Sequence, residues 1–490
     1  MLNDLFIGGA FRPSLSGERL PVVNPFDGSV LTEIAEGRAE DIDAAVAAAA
    51  DAFPTWKAVP ASERGKLLLR LADALESNSE EFARLESLNT GHPIRDSRGL
   101  DVPRTAACFR YFGGIADKLE GDVIPVDTGF LNYVVREPLG VVGAVVPWNF
   151  PMMFCSWKLG PALAAGNTAV LKPSEITPLT SLKLAALMKE VGFPDGVVNV
   201  VPGFGNTAGE RLATHPHVAK IAFTGSTAVG KRIVEYSASN LKRVQLELGG
   251  KGANIVFEDA DLVAAVNGSA WAIFHNQGQA CIAGSRLILH ESIAETFLER
   301  FVKLARSIRL GDPLDPQTEM GPLTSAIHRD RVLSYIKIAV DDGAEIIAGG
   351  KAPSDALLGR GFFIEPTVLR VPDFRSRVCQ EEVFGPVVTV STFASDAEAI
   401  DIANSTDYAL GGGLWTQNLA RAHRIAAHMR SGMVWVNSYK RVHPGSPFGG
   451  FGLSGYGREM GFEALHQYTD PKSVWINYDA SIPPWYPRSS

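Results

Sequence analysis

The apolar positions of this chain change their spacing twice. Residues 40–53 open with acidic side chains and continue in Ala, Val and Phe, which predicts a helix. Residues 62–89 repeat Leu68, Leu71, Leu75, Phe82, Leu85 and Leu88 at three- and four-residue spacing and stop at Gly91 before Pro93. These are amphipathic helices whose apolar faces are explained by core packing. From Gly140 the pattern turns into short, almost continuous β-branched runs at 140–146, 168–171, 197–201, 218–223 and 244–248. Helical stretches at 179–191 and 227–237 lie between them. Buried strands alternating with helices predict βαβ units around a parallel sheet. A second alternation follows: a strand at 286–290, a helix at 291–307, a Pro/Gly-rich turn at 311–322, a helix at 325–341, a strand at 387–393 and a helix at 396–404. The class is therefore α/β with two such domains. No repeat interrupts it, and residues 481–490 are Pro-rich and expected to be an extended tail.

Length and composition agree with that division. A chain of 490 residues exceeds what one core supports, and 46% hydrophobic with 20% charged residues is the balance of a soluble globular protein. The net charge of -8 and the lack of any Lys/Arg block argue against a nucleic-acid partner. The first residues show neither a basic nor a long apolar region, and no run of about 18 apolar residues exists. A cytoplasmic protein without a membrane span is expected. Cys108, Cys155, Cys281 and Cys379 are too scattered for a disulfide framework, and His215-Pro216-His217 reads as a solvated turn rather than a metal site. No metal is expected. Each cysteine is either a buried small hydrophobe or a reactive thiol.

In a parallel sheet ligands gather at the carboxyl ends of the strands, so the residues after each run carry the chemistry. Asn149 follows the first run, either as a turn residue or as a side-chain amide facing a cleft. Lys172 and Glu175 follow the second, as an exposed ion pair or as partners for a ribose. The stretch Gly203 to Gly209 only approaches the dinucleotide fingerprint. Gly225 and Ser226 open a helix, where backbone N–H groups suit a phosphate. Glu247 ends an apolar strand, and burial of such a carboxylate would make it a general base near neutral pH. Cys281 lies in a Gly-rich loop with small neighbours.

The stretches Pro-Trp-Asn149-Phe-Pro, Leu-Lys172-Pro-Ser-Glu175, Phe-Thr-Gly225-Ser226-Thr, Glu247-Leu-Gly-Gly-Lys, Gly278-Gln-Ala-Cys281, Glu382-Val-Phe384-Gly-Pro and Pro447-Phe448-Gly-Gly-Phe together resemble the NAD(P)-dependent aldehyde dehydrogenase superfamily, of the hydrolytic, non-acylating type. The match runs from residue 147 to about 458, and the flanking helices fit it. The resemblance implies a Rossmann-like parallel-sheet cofactor domain from 1–114 and 138–248, a second α/β catalytic domain from 249–472, and a small oligomerisation arm from 115–137 and 473–490. It implies that Cys281 attacks an aldehyde, that Asn149 and the Cys281 N–H hold the oxyanion, that Glu247 activates water against the thioester, and that Lys158 assists proton relay. Cofactor contacts are implied for Pro147, Trp148, Lys172, Ser174, Glu175, Gly205, Phe223, Gly225, Ser226, Val229, Leu248, Gly249, Glu382 and Phe384. Lys172 and Glu175 would hold the adenosine ribose, Gly225 and Ser226 the pyrophosphate, and Glu382 with Phe384 the nicotinamide ribose. Glu175 would accept from a 2′-hydroxyl and repel a 2′-phosphate, so NAD is expected over NADP.

By the same resemblance Phe150, Phe154, Trp157 and Phe448 line a substrate tunnel, and Lys440 with Arg441 borders its entrance. That cationic pair is either a solvated loop tip or an attractor for an anionic aldehyde, and an aromatic or medium-chain aldehyde fits the aromatic positions equally. The partners expected are a small aldehyde and further copies of the chain, as homodimer or homotetramer, with residues 115–137 pairing near 474–477. Three rival functions are weighed. A CoA-acylating semialdehyde dehydrogenase would lack Glu247, a non-catalytic structural relative would lack Cys281, Asn149 or Glu247, and a cysteine hydrolase would pair its Cys with a His.

Overall fold

The computed structural model describes residues 3–479 together with 482 and 485, so the expected extended tail at 481–490 lies outside the described residues except at those two positions. Each β-branched run becomes a strand: β1 (Val141–Val145), β2 (Thr168–Lys172), β3 (Val198–Val200), β4 (Val218–Thr224) and β5 (Arg243–Glu247). They pair in parallel in the order β3-β2-β1-β4-β5. Antiparallel strands Leu5–Ile7 and Gly455–Tyr456 flank this array. The order reverses between β1 and β4, which opens a crevice at the carboxyl ends of those two strands.

The second alternation forms its own sheet. Its parallel strands are β6 (Ala253–Val256), β7 (Arg286–His290), β8 (Thr367–Arg370), β9 (Val387–Phe393), β10 (Gly411–Trp415) and β11 (Met433–Val436). They lie in the order β8-β9-β7-β6-β10-β11, with Glu345–Ala348 antiparallel on the outer side of β8. The two sheets are consecutive in the chain: β5 ends at Glu247 and β6, an inner strand of the second sheet, begins at Ala253 after a short glycine-rich turn. Strand Phe130–Pro138 runs between Asp122–Ile124 and Thr469–Asn477, with Tyr133 opposite Val474. Residues 130–138 thus pair with the C-terminal strand inside one chain, whereas the expectation placed that pairing in the assembly of copies.

The helical region at 62–89 is two helices, α1 (Ala61–Ser77) and Ser79–Thr90. Asn78 makes the break: its side-chain amide and its N–H both donate to the Ala74 carbonyl, an alternative to continuing the helix. Helix α1 crosses α2 (Val102–Ile115) at glycine on both sides. A Cβ on Gly65 would stand 2.5 Å from the Gly113 carbonyl oxygen, and one on Gly113 would stand 2.9 Å from that of Gly65. Beneath them runs α3 (Pro151–Ala164), in which every residue is buried. A helix apolar on all sides belongs in a core, and Lys158 is the one charge it carries there. Among the described residues no helix is long and apolar enough to cross a membrane, and no group of three His, Cys, Asp or Glu is arranged to hold a metal ion.

The glycine crossing yields a test of this packing. Gly113→Val should push α1 and α2 apart and destabilise the fold by about 1–3 kcal/mol, seen as a lower thermal unfolding midpoint, whereas an unchanged midpoint would show that the crossing relaxes freely.

Candidate active site

The parallel registers bring the strand ends to one line: Val145 pairs with Lys172 and with Phe223, and Thr224 pairs with Glu247. The chain leaves β1 through Pro147, Trp148 and Asn149 and enters α3 at Pro151. It leaves β4 through Gly225 and Ser226 and enters helix α4 (Thr227–Ser237), where the Ser226 hydroxyl accepts from the Val229 N–H. From the second domain, helix α5 (Leu262–Phe274) delivers the cysteine loop. In that loop Asn276, Gln277 and Gly278 have φ values of 56°, 55° and 70°. Three left-handed residues in succession reverse the chain tightly, at a cost that tertiary contacts must offset. A Cβ on Gly278 would collide with the Gly385 carbonyl, so only glycine fits there.

Those contacts come from Asn149. Its Nδ2 donates to the Gln279 carbonyl at 2.9 Å, and Asn276 Nδ2 donates to the Asn149 carbonyl at 3.1 Å. The end of β1 and the cysteine loop are thereby fastened together, leaving the second Nδ2 hydrogen of Asn149 for the cavity it lines. Cys281 stands at the junction of two spaces. One is a cavity of about 250 Å³ lined by Pro147, Trp148, Asn149, Phe154, Thr224, Gly225, Ser226, Leu248, Gly249, Cys281, His328, Arg331, Glu382 and Phe384. The other is a narrow space of about 30 Å³ where the tunnel was expected, lined by Phe150, Phe154, Trp157, Phe448 and Lys440 among others and likewise by Cys281.

Of the four cysteines, Cys281 is partly exposed while Cys108, Cys155 and Cys379 are buried. Burial pushes its thiol up, and the carboxylates of Glu382 and Glu247 push it further, against a hydrogen bond from the Ile282 N–H and the charge of Lys440. No described acceptor takes the Cys281 backbone N–H. Glu247 is 2% exposed, and neither of its carboxylate oxygens has a hydrogen-bond partner. Burial and then the charge of Glu459 hold its pKa well above the usual carboxylate range, against the opposing charges of Lys158 and Arg458. Lys158 is fully buried, is paired with Glu459 and donates to the Thr224 hydroxyl at 2.8 Å. Gly449, with φ 153°, passes so close that a Cβ there would stand 2.6 Å from Glu247 Oε1.

The larger cavity suits an extended phosphate-bearing ligand. Gly225 and Ser226 present the first turn of an eleven-residue helix to it. Glu382 Oε1 accepts from the Gly250 N–H at 2.8 Å, and burial raises that carboxyl to about 7. Phe384 is left-handed at φ 63°, its carbonyl bonded to His328 at 2.7 Å and its ring 5.3 Å from that of Trp148. Lys172, Ser174 and Glu175 at and after the end of β2, Gly205 after β3 and Val229 in α4 are not in the wall of this cavity. Lys172 is buried, donates to the Pro173 carbonyl at 3.0 Å and sits 3.7 Å from Glu175. Phe223 is buried, its ring packed under Gly225.

Two readings of the sequence change. Lys440 is not at a solvated loop tip: it is 4% exposed and lines the tunnel, while Arg441 is exposed. The reason is backbone geometry, since Asn437 and Lys440 are both left-handed (φ 51° and 56°) and Tyr439 is buried between them. The His215–His217 turn also differs from expectation, because His215 is buried and its Nδ1 accepts from the His217 N–H. Several residues went unread in the sequence. Thr224, His328 and Arg331 face the cavity, Arg104, Trp271 and His275 face the tunnel, and Glu459 partners Lys158. Thr224 was within reach as a strand-end residue, whereas the others come from helix faces and loops with no local motif. No hydrogen bond joins His275 to Cys281 among the described residues, so the Cys–His pair of a hydrolase is not formed.

The chain is similar to known proteins over nearly its whole length. The family model described as the aldehyde dehydrogenase family matches residues 11–474. The betaine aldehyde dehydrogenase of Bacillus subtilis (strain 168) is 43% identical over 99% of this chain and 100% of its own length. The crystal structure of PnpE from Pseudomonas sp. WBC-3 is 69% identical, with a TM-score of 0.98 and full coverage of both chains. A PnpE structure in complex with nicotinamide adenine dinucleotide matches equally well. The betaine aldehyde dehydrogenase of Staphylococcus aureus in complex with NAD+ is 38% identical with a TM-score of 0.98, over 100% of this chain and 97% of that one.

Exposure and thiol chemistry set an expected outcome. Iodoacetamide should alkylate the native protein at Cys281 alone, read by peptide mass spectrometry, and slowly at pH 7. Because the thiol is pushed up, its rate should climb about tenfold per pH unit across pH 7–9. A plateau in that range would mean that the resting residue is already a thiolate.

Proposed function

This chain belongs to the aldehyde dehydrogenase family, and on that premise we propose that it oxidises an aldehyde to a carboxylic acid with NAD through a thioester on Cys281, which water activated by Glu247 then hydrolyses. The observation that carries this reading is the position of Cys281 at the junction of two spaces, one suited to a dinucleotide and one to a slender substrate.

The aldehyde enters through the tunnel, and Cys281 as thiolate forms a bond to its carbonyl carbon. The oxyanion that develops is held by the free Nδ2 hydrogen of Asn149 and the Cys281 N–H, one such donor being worth about 3–4 kcal/mol. A nicotinamide dinucleotide bound there would supply the hydride acceptor for this adduct, which would leave a thioester on Cys281. Pro147, Trp148, Gly225, Ser226, Leu248, Gly249, Glu382 and Phe384 would hold the cofactor, with Lys172, Ser174, Glu175, Gly205, Phe223 and Val229 along its adenosine side. Glu247 then takes a proton from water, whose oxygen attacks the thioester carbon and releases the acid and the thiol. A carboxyl whose pKa is lifted by burial is the stronger base for that step. Lys158 and Glu459 carry the proton away from it through their buried pair.

In the same reading residues 1–114 and 138–248 form the cofactor domain, 249–472 the catalytic domain, and 115–137 with 473–490 the oligomerisation arm. The exposed Val123, Trp475 and Ile476 of that arm support assembly with further copies, as homodimer or homotetramer. Glu175 supports NAD over NADP by accepting from a ribose hydroxyl and repelling a phosphate.

Two measurements follow. Glu247→Gln should give a rapid burst of about one NADH per site and then steady turnover reduced about 10²-fold or more, because acylation survives and hydrolysis fails. Normal steady turnover would remove the assigned role. The kcat/KM for NAD should exceed that for NADP, and Glu175→Gln should narrow the difference; a preference for NADP would refute the reading of Glu175.

A further inference from the structure

The tunnel that leads to Cys281 has walls of one kind and charges of one sign. Phe150, Phe154, Trp157, Trp271 and Phe448 make it apolar, with the rings of Phe154 and Trp157 at 5.0 Å and those of Trp157 and Phe448 at 4.7 Å. Arg104 from α2 and Lys440 from the loop after β11 line it as well, and no carboxylate does. Lys440 is 4% exposed, and its Nζ has no hydrogen-bond partner. Arg104 donates no hydrogen bond among the described residues either; the charges of Asp101 and Asp96 act on it, but Asp101 is engaged with His92 at 2.8 Å.

Such an arrangement is expensive for the fold on three counts. A buried ammonium without a counter-charge is among the least favourable groups in a protein interior. Its backbone is left-handed at φ 56°, a conformation unfavourable to a non-glycine residue. A second cation shares the space. The loop is nevertheless anchored to keep this geometry, since Trp435 Nε1 donates to the Arg441 carbonyl at 2.9 Å and the Trp435 and Tyr439 rings pack at 5.1 Å. No carboxylate lines the space that Lys440 faces, and Cys281 lines that same space.

We propose that the aldehyde oxidised here carries a carboxylate, and that Lys440, with Arg104, receives that carboxylate inside the tunnel. The inference rests on the aldehyde-oxidation reading above and names the substrate class of that same site. The dry aromatic walls strengthen the ion pair by lowering the local dielectric. They also limit the substrate to a slender carbon skeleton. Lys440 and Cys281 line the same narrow space of about 30 Å³, so the spacer between aldehyde and carboxylate is short. Burial lowers the Lys440 ammonium to about 7, and an arriving anion restores its proton.

The test uses two pairs of aldehydes matched in shape: 4-oxobutanoate with its methyl ester, and 4-carboxybenzaldehyde with 4-nitrobenzaldehyde. The full-length enzyme and its Lys440→Met, Lys440→Gly and Lys440→Arg variants are assayed by NADH formation. Glycine suits the left-handed backbone, so that variant keeps the test valid if methionine perturbs folding. The wild type should favour the carboxylate in at least one pair. Methionine and glycine should lower the carboxylate-to-neutral ratio of kcat/KM about tenfold or more, mainly through KM, and arginine should retain most of it. A loss shared equally by charged and neutral aldehydes would assign Lys440 to the thiolate instead and overturn the inference. Oxidation of the neutral members without any carboxylate preference would also overturn it, leaving aldehyde oxidation standing. Oxidation of none of the four would take down both readings.

Discussion

The hydrogen bonds between Asn149 and the loop 276–279 are the constraint on which the site depends. Asn149 belongs to the first sheet and Cys281 to the second domain, and nothing in the covalent chain fixes their distance. Asn149 Nδ2 donating to Gln279, and Asn276 donating back to the Asn149 carbonyl, do fix it. The three left-handed residues of the loop are tolerable because these bonds, together with the close seat of Gly278 under Gly385, repay their strain. Once the clasp is closed, the oxyanion donor, the nucleophile and the junction of the two spaces all follow from one local geometry. Preorganisation of this kind places the donors before charge develops, and so spares the reaction their reorganisation.

Charge burial is the second organising principle. Glu247, Glu459 and Lys158 are all nearly or fully buried, yet only the last two are paired. The unpaired Glu247 carries the desolvation and the repulsion from Glu459, which raise its affinity for a proton. Farther along β4, Lys220 is buried beside the same group, where burial and the charge of Lys158 lower it to about 7. It donates to the Gln467 carbonyl at 3.1 Å and lies over the Tyr468 ring. The interior behind the base is thus polar and titratable, whereas the tunnel in front of the nucleophile is apolar and cationic.

Much of this was legible in the sequence, and the reason is geometric. In a parallel sheet the strand ends converge, so a periodicity that locates the ends of β1, β4 and β5 also locates Asn149, Gly225 and Glu247 together. Cys281 needed the motif resemblance, because a lone cysteine in a Gly-rich loop has no periodicity. Arg104, His275, His328 and Glu459 were illegible for a different reason. Each projects from a helix or loop whose own pattern reports its packing and says nothing about the cavity on its far side. Lys440 was visible as a residue but not as a buried one, since only the tertiary anchoring by Trp435 and Tyr439 holds its backbone left-handed and turns the side chain inward. The break at Asn78 belongs to the same category, a local side-chain hydrogen bond outweighing a helical pattern that runs on past it.

The raised thiol of Cys281 has a meaning outside turnover. Hydroperoxides oxidise thiolates far faster than thiols, and sulfinic acid formation is irreversible for most proteins. A partly exposed cysteine whose thiol is pushed up by burial and two carboxylates is slow in that chemistry at neutral pH while staying accessible. The chain thus pairs an accessible cysteine with a long chemical shelf life, which the buried Cys108, Cys155 and Cys379 obtain simply by being out of reach.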